Sequence, residues 1–201
     1  MIIVDTEASG VDPQKNSLVS IGALDFDNPT NQFYEECRIF DGAHVEKQAM
    51  EVNGFTEEQI TDPKKKTDRE VVSDFLGWVQ TCKEHTLAGQ NPSFDRDFIQ
   101  YTCQRYHLNW PLAHRVIDLH SICYFHMLQR GIKPPVSNNR TDLNLDKILE
   151  YVGLPARKGS HNALDDTKLE AEALSRLIKE KSLLNQYDKF SVPNFKSTVT
   201  I

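Results

Sequence analysis

The sequence contains no Cys-x-x-Cys pair, and its four cysteines, Cys37, Cys82, Cys103 and Cys123, stand far apart. That excludes a zinc ribbon and a dithiol redox motif, and reduced thiols are expected. No stretch reaches the roughly 20 apolar residues that cross a bilayer. The start, Met1-Ile2-Ile3-Val4-Asp5, has neither the basic leader nor the apolar run of a signal peptide, so a cytoplasmic protein without a membrane partner is expected. Internal repeats and low-complexity segments are also missing, which leaves one ordinary core for 201 residues. Positive charge is in short supply: 23 Lys and Arg stand against 29 Asp and Glu, a net charge of −6. Such a balance argues against holding nucleic acid mainly through a basic surface. It does not exclude a nucleic-acid enzyme whose carboxylates gather divalent cations, because the cations then supply the positive charge that phosphate needs.

What is present reads as strands first and helices later. Ile2 to Glu7, Leu18 to Phe26 and Gln32 to Phe40 alternate with turn-rich segments and predict an antiparallel meander. Helical patterns follow from Asp68 to about Lys83, from Asn91-Pro92-Ser93 to Tyr106, from Ser121 to Arg130, from Leu143 to Tyr151 and from Asn162 to Lys181. His85 to Gln90 and Val116 to Leu119 are short strand candidates between them. The pattern predicts an α/β fold, a mixed sheet covered by helices. A catalytic domain over 1–182 and a C-terminal tail over 183–201 are expected, and Lys64-Lys65-Lys66 reads as a solvated loop run.

Asp5 and Glu7 lie two apart in an apolar strand, so the period of two sends both to one face with Ile3. On the helix that begins near Ser93, a step of about 100° per residue puts Asp95 with Ile99, Thr102 and Tyr106, whereas Asp97 falls on the solvent side. On the last helix the same wheel aligns Asp166 with Leu169, Ala173 and Leu177. It sends Asp165 to the charged side with Lys168, Glu172 and Arg176. His161 stands in the loop just ahead, with Asn162 or Ser160 placed to cap the helix. Two carboxylates ~4 Å apart repel by about 4 kcal/mol at an effective dielectric near 20, so four that point inward call for cations. Oxygen ligands of this kind suit Mg²⁺ or Mn²⁺, and two ions about 3.5–4 Å apart can clamp the attacking and leaving oxygens of a phosphoryl transfer.

The ordered set Val4-Asp5-Thr6-Glu7, Asn91-Pro92-Ser93-Phe94-Asp95 and His161-Asn162-Ala163-Leu164-Asp165-Asp166 resembles the three exonuclease motifs of the DEDDh family, the group of the polymerase III proofreading subunit, RNase T and oligoribonuclease. Ala49-Met50-Glu51-Val52-Asn53-Gly54-Phe55-Thr56 is similar to the segment that follows the third strand in that family and helps to hold the 3′ end. The resemblance implies an RNase H-like fold with a mixed five-stranded sheet flanked by helices. It also implies hydrolysis of DNA or RNA from a free 3′ end, single-stranded by preference, to nucleoside 5′-monophosphates. By family role Asp5 would bridge two ions, Glu7 and Asp166 would hold the ion that binds the attacking water, Asp95 would serve the second, and His161 would be the general base. Thr6, Ala8, Ser9, Asn53, Phe55, Asn91 and Phe94 are the expected substrate contacts, with Ala8-Ser9 standing where many relatives carry Thr or Met. A homodimer is compatible with this reading. The rivals are a catalytically silent binding or scaffolding module of the same fold, an internal-cutting nuclease, and a small-molecule phosphohydrolase.

Overall fold

β-Branched and aliphatic side chains dominate the first two apolar runs, and these become strands β1 (Ile2–Ala8) and β2 (Leu18–Asp25). The computed structural model describes residues 1–157, 159 and 161–195. Strand β3 (Gln32–Glu36) completes an antiparallel meander with β2 and β1, as expected. Strands β4 (Leu87–Gly89) and β5 (Ile117–Asp118) then add to the other edge of β1 in parallel, giving the order β3-β2-β1-β4-β5. This is the mixed five-stranded sheet of the RNase H-like class, with β1 at its centre.

Helices α3 (Asp68–Val79) and α4 (Pro92–Tyr106) cover one face, helices α5 (Leu119–Gln129), α6 (Leu145–Tyr151) and α7 (Ala163–Lys179) the other. Local signals fix their starts. Thr67 and Glu70 form a reciprocal capping box ahead of α3, Pro92 takes the first turn of α4, and the Asn162 side chain accepts from the N–H groups of Leu164 and Asp165 at α7. Two short helices, α1 (Lys47–Asn53) and α2 (Glu57–Thr61), fill a stretch where no helix was expected, because one or two turns are too few to show a period. A small hairpin of β6 (Val136–Ser137) and β7 (Arg140–Thr141) was also missed; its turn residues Asn138 and Asn139 both have positive φ.

The pleat of β1 sets the site. Ile2 and Val4 enter the core beneath α3 and α4, whereas Ile3 enters the core beneath α5 to α7, so Asp5 and Glu7 project toward α7. Gly22 pairs with Asp5 across the β1–β2 ladder. A Cβ at Gly22 would lie 2.3 Å from the backbone of Ala163 and Leu164, so only glycine lets the first turn of α7 settle on the sheet at this level. Thr167 Oγ1 donates to the Gly22 carbonyl at 3.0 Å and secures the contact.

One face of α7 corrects the helical wheel. Glu172 and Arg176, expected on the solvent side, are both 0% exposed and form a 2.7 Å ion pair. The reason is the segment after 182, which folds back over α7 and presents backbone polar groups to it. Arg176 donates to the carbonyls of Val152, Tyr187 and Phe190, and Glu172 accepts from the N–H groups of Leu183 and Leu184. Leu183, Leu184, Tyr187, Phe190 and buried Phe195 extend the core on this side. The wheel was right for Asp165, whose side chain is 73% exposed, and for Asp97, which faces solvent in an ion pair with Arg96. Lys65 and Lys66 form surface ion pairs with Glu36, Glu35 and Asp74. All four cysteines are free and buried, and among the described residues no helix is long and apolar enough to cross a membrane.

Removing one partner of a buried pair leaves an uncompensated charge. Arg176→Met therefore destabilises the fold by about 3–5 kcal/mol, read from urea unfolding followed by circular dichroism. The double change Glu172→Gln with Arg176→Met recovers part of that loss, whereas an exposed pair at this position would give less than about 1 kcal/mol for either single change.

Candidate active site

Three elements bring acidic side chains to the C-terminal end of β1. Asp5 and Glu7 come from β1 itself, Asp95 from the first turn of α4 and Asp166 from the first turn of α7. Asp95 is 3% exposed and lies over the end of the strand, where both the N–H and the hydroxyl of Thr6 donate to its Oδ1 at 2.8 Å. Glu7 and Asp166 are 8% and 5% exposed. His161, half-buried in the loop before α7, places Nδ1 3.5 Å from Asp166 Oδ2. Its backbone N–H reaches the Val52 carbonyl and ties this loop to α1. One donor atom each from Glu7, His161 and Asp166 lies within 4.8 Å of the other two. Two carboxylate oxygens and an imidazole nitrogen at this spacing fit a divalent cation.

The electrostatics report the same crowding. Burial, reinforced by Asp166 and Asp95, raises the Glu7 carboxyl to about 7, although Arg157 opposes the rise. Burial also lifts Asp95 to about 7 against the two Thr6 hydrogen bonds. Asp5 is raised well above the usual carboxylate range by burial, then by Glu170, Asp95, Glu7 and Asp166.

Two participants escaped the sequence reading. Glu170, one turn after Asp166 on α7, is 2% exposed and its Oε2 has no hydrogen-bond partner. It is a fifth carboxylate under the cluster, raised by burial and by Asp95 and Asp166. Its position in line with Asp166 was available from the 3.6-residue period. Arg157 donates to Asp166 Oδ2 at 2.9 Å from the loop after α6, a contact without any periodic signature.

The expected substrate contacts divide. Thr6, Ala8, Asn53 and Phe94 line a cleft of about 280 Å³ between β1, α1 and α4, next to Glu7. Asn53 donates to the Ala8 carbonyl and so braces the cleft floor. Ser9 is 0% exposed, with its hydroxyl donating to the His44 carbonyl and accepting from the Ser17 N–H, so it serves the loop and not the cleft. Phe55 lies outside the cleft under the Lys65 ammonium, 5.1 Å from the ring centroid. Asn91 sits in a left-handed conformation at the start of α4, its N–H donating to Asp118, and borders a separate polar cleft with His120 and Thr141.

A mixed five-stranded sheet that carries clustered carboxylates at the end of its central strand defines an RNase H-like nuclease. The Exonuclease (RNase T) family model matches residues 2–174, and the chain belongs to that family. It is 30% identical over 193 residues to the 3′-5′ DNA exonuclease Cap18 of Escherichia coli, covering 94% of this chain and 96% of that one. It is 24% identical over 202 residues to a PolC-type DNA polymerase III of Thermotoga petrophila, covering 98% of this chain but spanning only 13% of that much longer protein. The solved nuclease domain of 3′hExo, a DEDDh family member bound to rAMP, shares the fold with a TM-score of 0.68 at 19% identity, over 92% of this chain and 94% of that one.

A group whose folded-state pKa is raised stabilises the fold below its unfolded value and loses that contribution as pH rises through the folded value. For Glu7 and Asp95 the window runs from the ordinary 4.5 and 3.8 up to about 7. In EDTA the unfolding temperature therefore falls as pH rises through that window, and Asp5 and Glu170, also raised, act in the same sense. Depressed carboxyls such as Asp146 beside Arg157 titrate below the window, and His126, which burial lowers to about 4, opposes the trend within it but is outnumbered by the raised carboxyls. A melting temperature that rises steadily from pH 5 to pH 7 in EDTA would contradict the clustering.

Proposed function

We propose that this protein is a two-metal-dependent 3′-5′ exonuclease that hydrolyses single-stranded DNA or RNA to nucleoside 5′-monophosphates. The observation that carries the proposal is the meeting of Glu7, Asp166 and His161 within common ligand reach, flanked by Asp5 and Asp95. Asp5, Glu7, Asp95 and Asp166 would hold Mg²⁺ or Mn²⁺. Such ions acidify a water and neutralise charge that develops on the phosphate oxygens.

The chain's own residues supply the rest. His161 Nδ1 faces Asp166 and, as the nitrogen that contacts a guanidinium able only to donate, is an acceptor; it is the atom that takes the proton of the attacking water. A neutral imidazole carries a ring-nitrogen lone pair that can accept this proton. Thr6 fixes Asp95 through two hydrogen bonds, so this carboxylate is pre-oriented. The cleft beside Glu7 is at the small end for a ligand pocket, with an apolar wall from Val52 and Phe94 against which one base can lie. Room for one terminal nucleotide, with Glu7 at its edge, favours a free 3′ end over an internal bond. The near full-length similarity to a 3′-5′ DNA exonuclease and the rAMP on a solved relative support the same direction and product class.

The test uses 5′-labelled single- and double-stranded DNA and RNA oligomers with Mg²⁺ or Mn²⁺. A ladder that shortens from the 3′ end is expected, abolished by EDTA and by Asp5→Asn. His161→Ala lowers kcat by about a hundred- to ten-thousandfold, the range of a lost general base. Cleavage of circular substrates, or activity that survives Asp5→Asn, would reject the assignment.

A further inference from the structure

Arg157 lies four residues before His161, and its guanidinium is shared between an anchor and the site. The anchor is Asp146, in the first turn of α6. It accepts from Nε at 3.0 Å and from Nη2 at 3.3 Å, and its Oδ1 also accepts from the Arg157 backbone N–H. This leaves Nη1 at the far corner. Nη1 donates to Asp166 Oδ2 at 2.9 Å and to His161 Nδ1 at 3.2 Å. These side chains are two of the three that meet in the candidate cation site.

The contacts compete with the function proposed above. A lone pair on Asp166 that accepts from a guanidinium is withheld from a cation, and a His161 nitrogen that does so is withheld from water. Charge points the same way. Among crowded carboxylates a guanidinium is favourable, but beside divalent cations it is repelled. A phosphate group then offers the nearest replacement, and a guanidinium matches its oxygens better than an ammonium does. The bonds to Asp146 engage Nε and Nη2, the opposite edge of the planar fork, so they persist while the hydrogens of Nη1 change acceptors.

We propose that Arg157 is a phosphate-binding residue held on Asp166 and His161 until the cation and the 3′-terminal nucleotide arrive, when Nη1 exchanges both for the terminal phosphate. The inference rests on the exonuclease reading and deepens it by naming the side chain that receives the phosphate.

Two binding measurements on the full chain, neither needing turnover, test the exchange. Mn²⁺ alone is titrated by electron paramagnetic resonance, and thymidine 5′-monophosphate is titrated by calorimetry at saturating Mn²⁺, with thymidine as the comparison. Arg157→Gln is expected to tighten Mn²⁺ about tenfold and to weaken thymidine 5′-monophosphate about tenfold, each close to one charge-assisted hydrogen bond. Thymidine binding stays at the wild-type value. The opposite signs distinguish exchange from loop damage, which weakens all three. Lys168→Gln removes an equal charge from α7, where Lys168 pairs with Asp165 and not with the cluster, and leaves every constant unchanged. Unchanged or weaker Mn²⁺ binding in Arg157→Gln, an equal loss for thymidine, or the same effects from Lys168→Gln would overturn the inference. If wild type binds Mn²⁺ and Asp5→Asn does not, such a result sinks the role of Arg157 alone. Failure of wild type to bind Mn²⁺ sinks the exonuclease reading and the inference with it.

Discussion

Mutual repulsion among carboxylates is the constraint from which the rest of this structure follows. Asp5, Glu7, Asp95, Asp166 and Glu170 are drawn from three separate elements into one partly dehydrated region. Left to themselves such groups would separate or take up protons. The fold prevents separation by tying each to an element that is held for other reasons. Burial of the central strand fixes Asp5 and Glu7, the two hydrogen bonds from Thr6 fix Asp95, and the backbone contact at Gly22 fixes the turn that carries Asp166. The remaining stress appears as raised pKa values at Asp5, Glu7, Asp95 and Glu170, as crowding in a buried region demands.

The same constraint explains the uneven placement of positive charge. Among the described residues only one guanidinium reaches the cluster, and it is held from behind by Asp146. Arg176, fully buried, is used nineteen residues later to fasten the C-terminal segment against α7. The two arginines thus have opposite characters. Arg176 is enclosed by carbonyls and one carboxylate and has no freedom to exchange partners. Arg157 is about one-fifth exposed at its side chain and bonds groups that have other uses. With the chain acidic overall, the proposed recognition of nucleic acid would rest on cations recruited to the site and not on a basic surface.

The sequence made the ends of this argument legible and left its middle obscure. Asp95 was distinguished from Asp97, and Asp166 from Asp165, by the helical period alone, because both helices lie flat on an apolar sheet and their inner faces are decided by that contact. The period failed at Glu172 and Arg176, where the covering layer is a polar loop that can satisfy buried charge through backbone groups. It also passed over Glu170, although this residue shares the inward line with Asp166. A buried acid without a metal-binding motif gives no reason in sequence to be singled out. Contacts made by loops, as for Arg157 and for the Ser9 hydroxyl, depend on where distant segments meet and leave no periodic trace.

Helix α7 links these observations. Its first turn supplies Asp166, its second supplies Glu170, and its last two turns carry the buried pair that fastens residues 183–190. A helix that bears two crowded carboxylates at one end is pushed away from the sheet there, by an amount that depends on protonation and on bound cations. The Glu172–Arg176 pair and the segment wrapped over it resist that push from the other end. A nonpolar seam between α7 and the C-terminal segment would bury comparable area, but it would permit sliding along the helix axis. Directed bonds from one guanidinium to the carbonyls of Val152, Tyr187 and Phe190 fix α7 in rotation and in register. The directed bonds of this pair therefore hold the C-terminal segment and the register of the helix that carries Asp166 together.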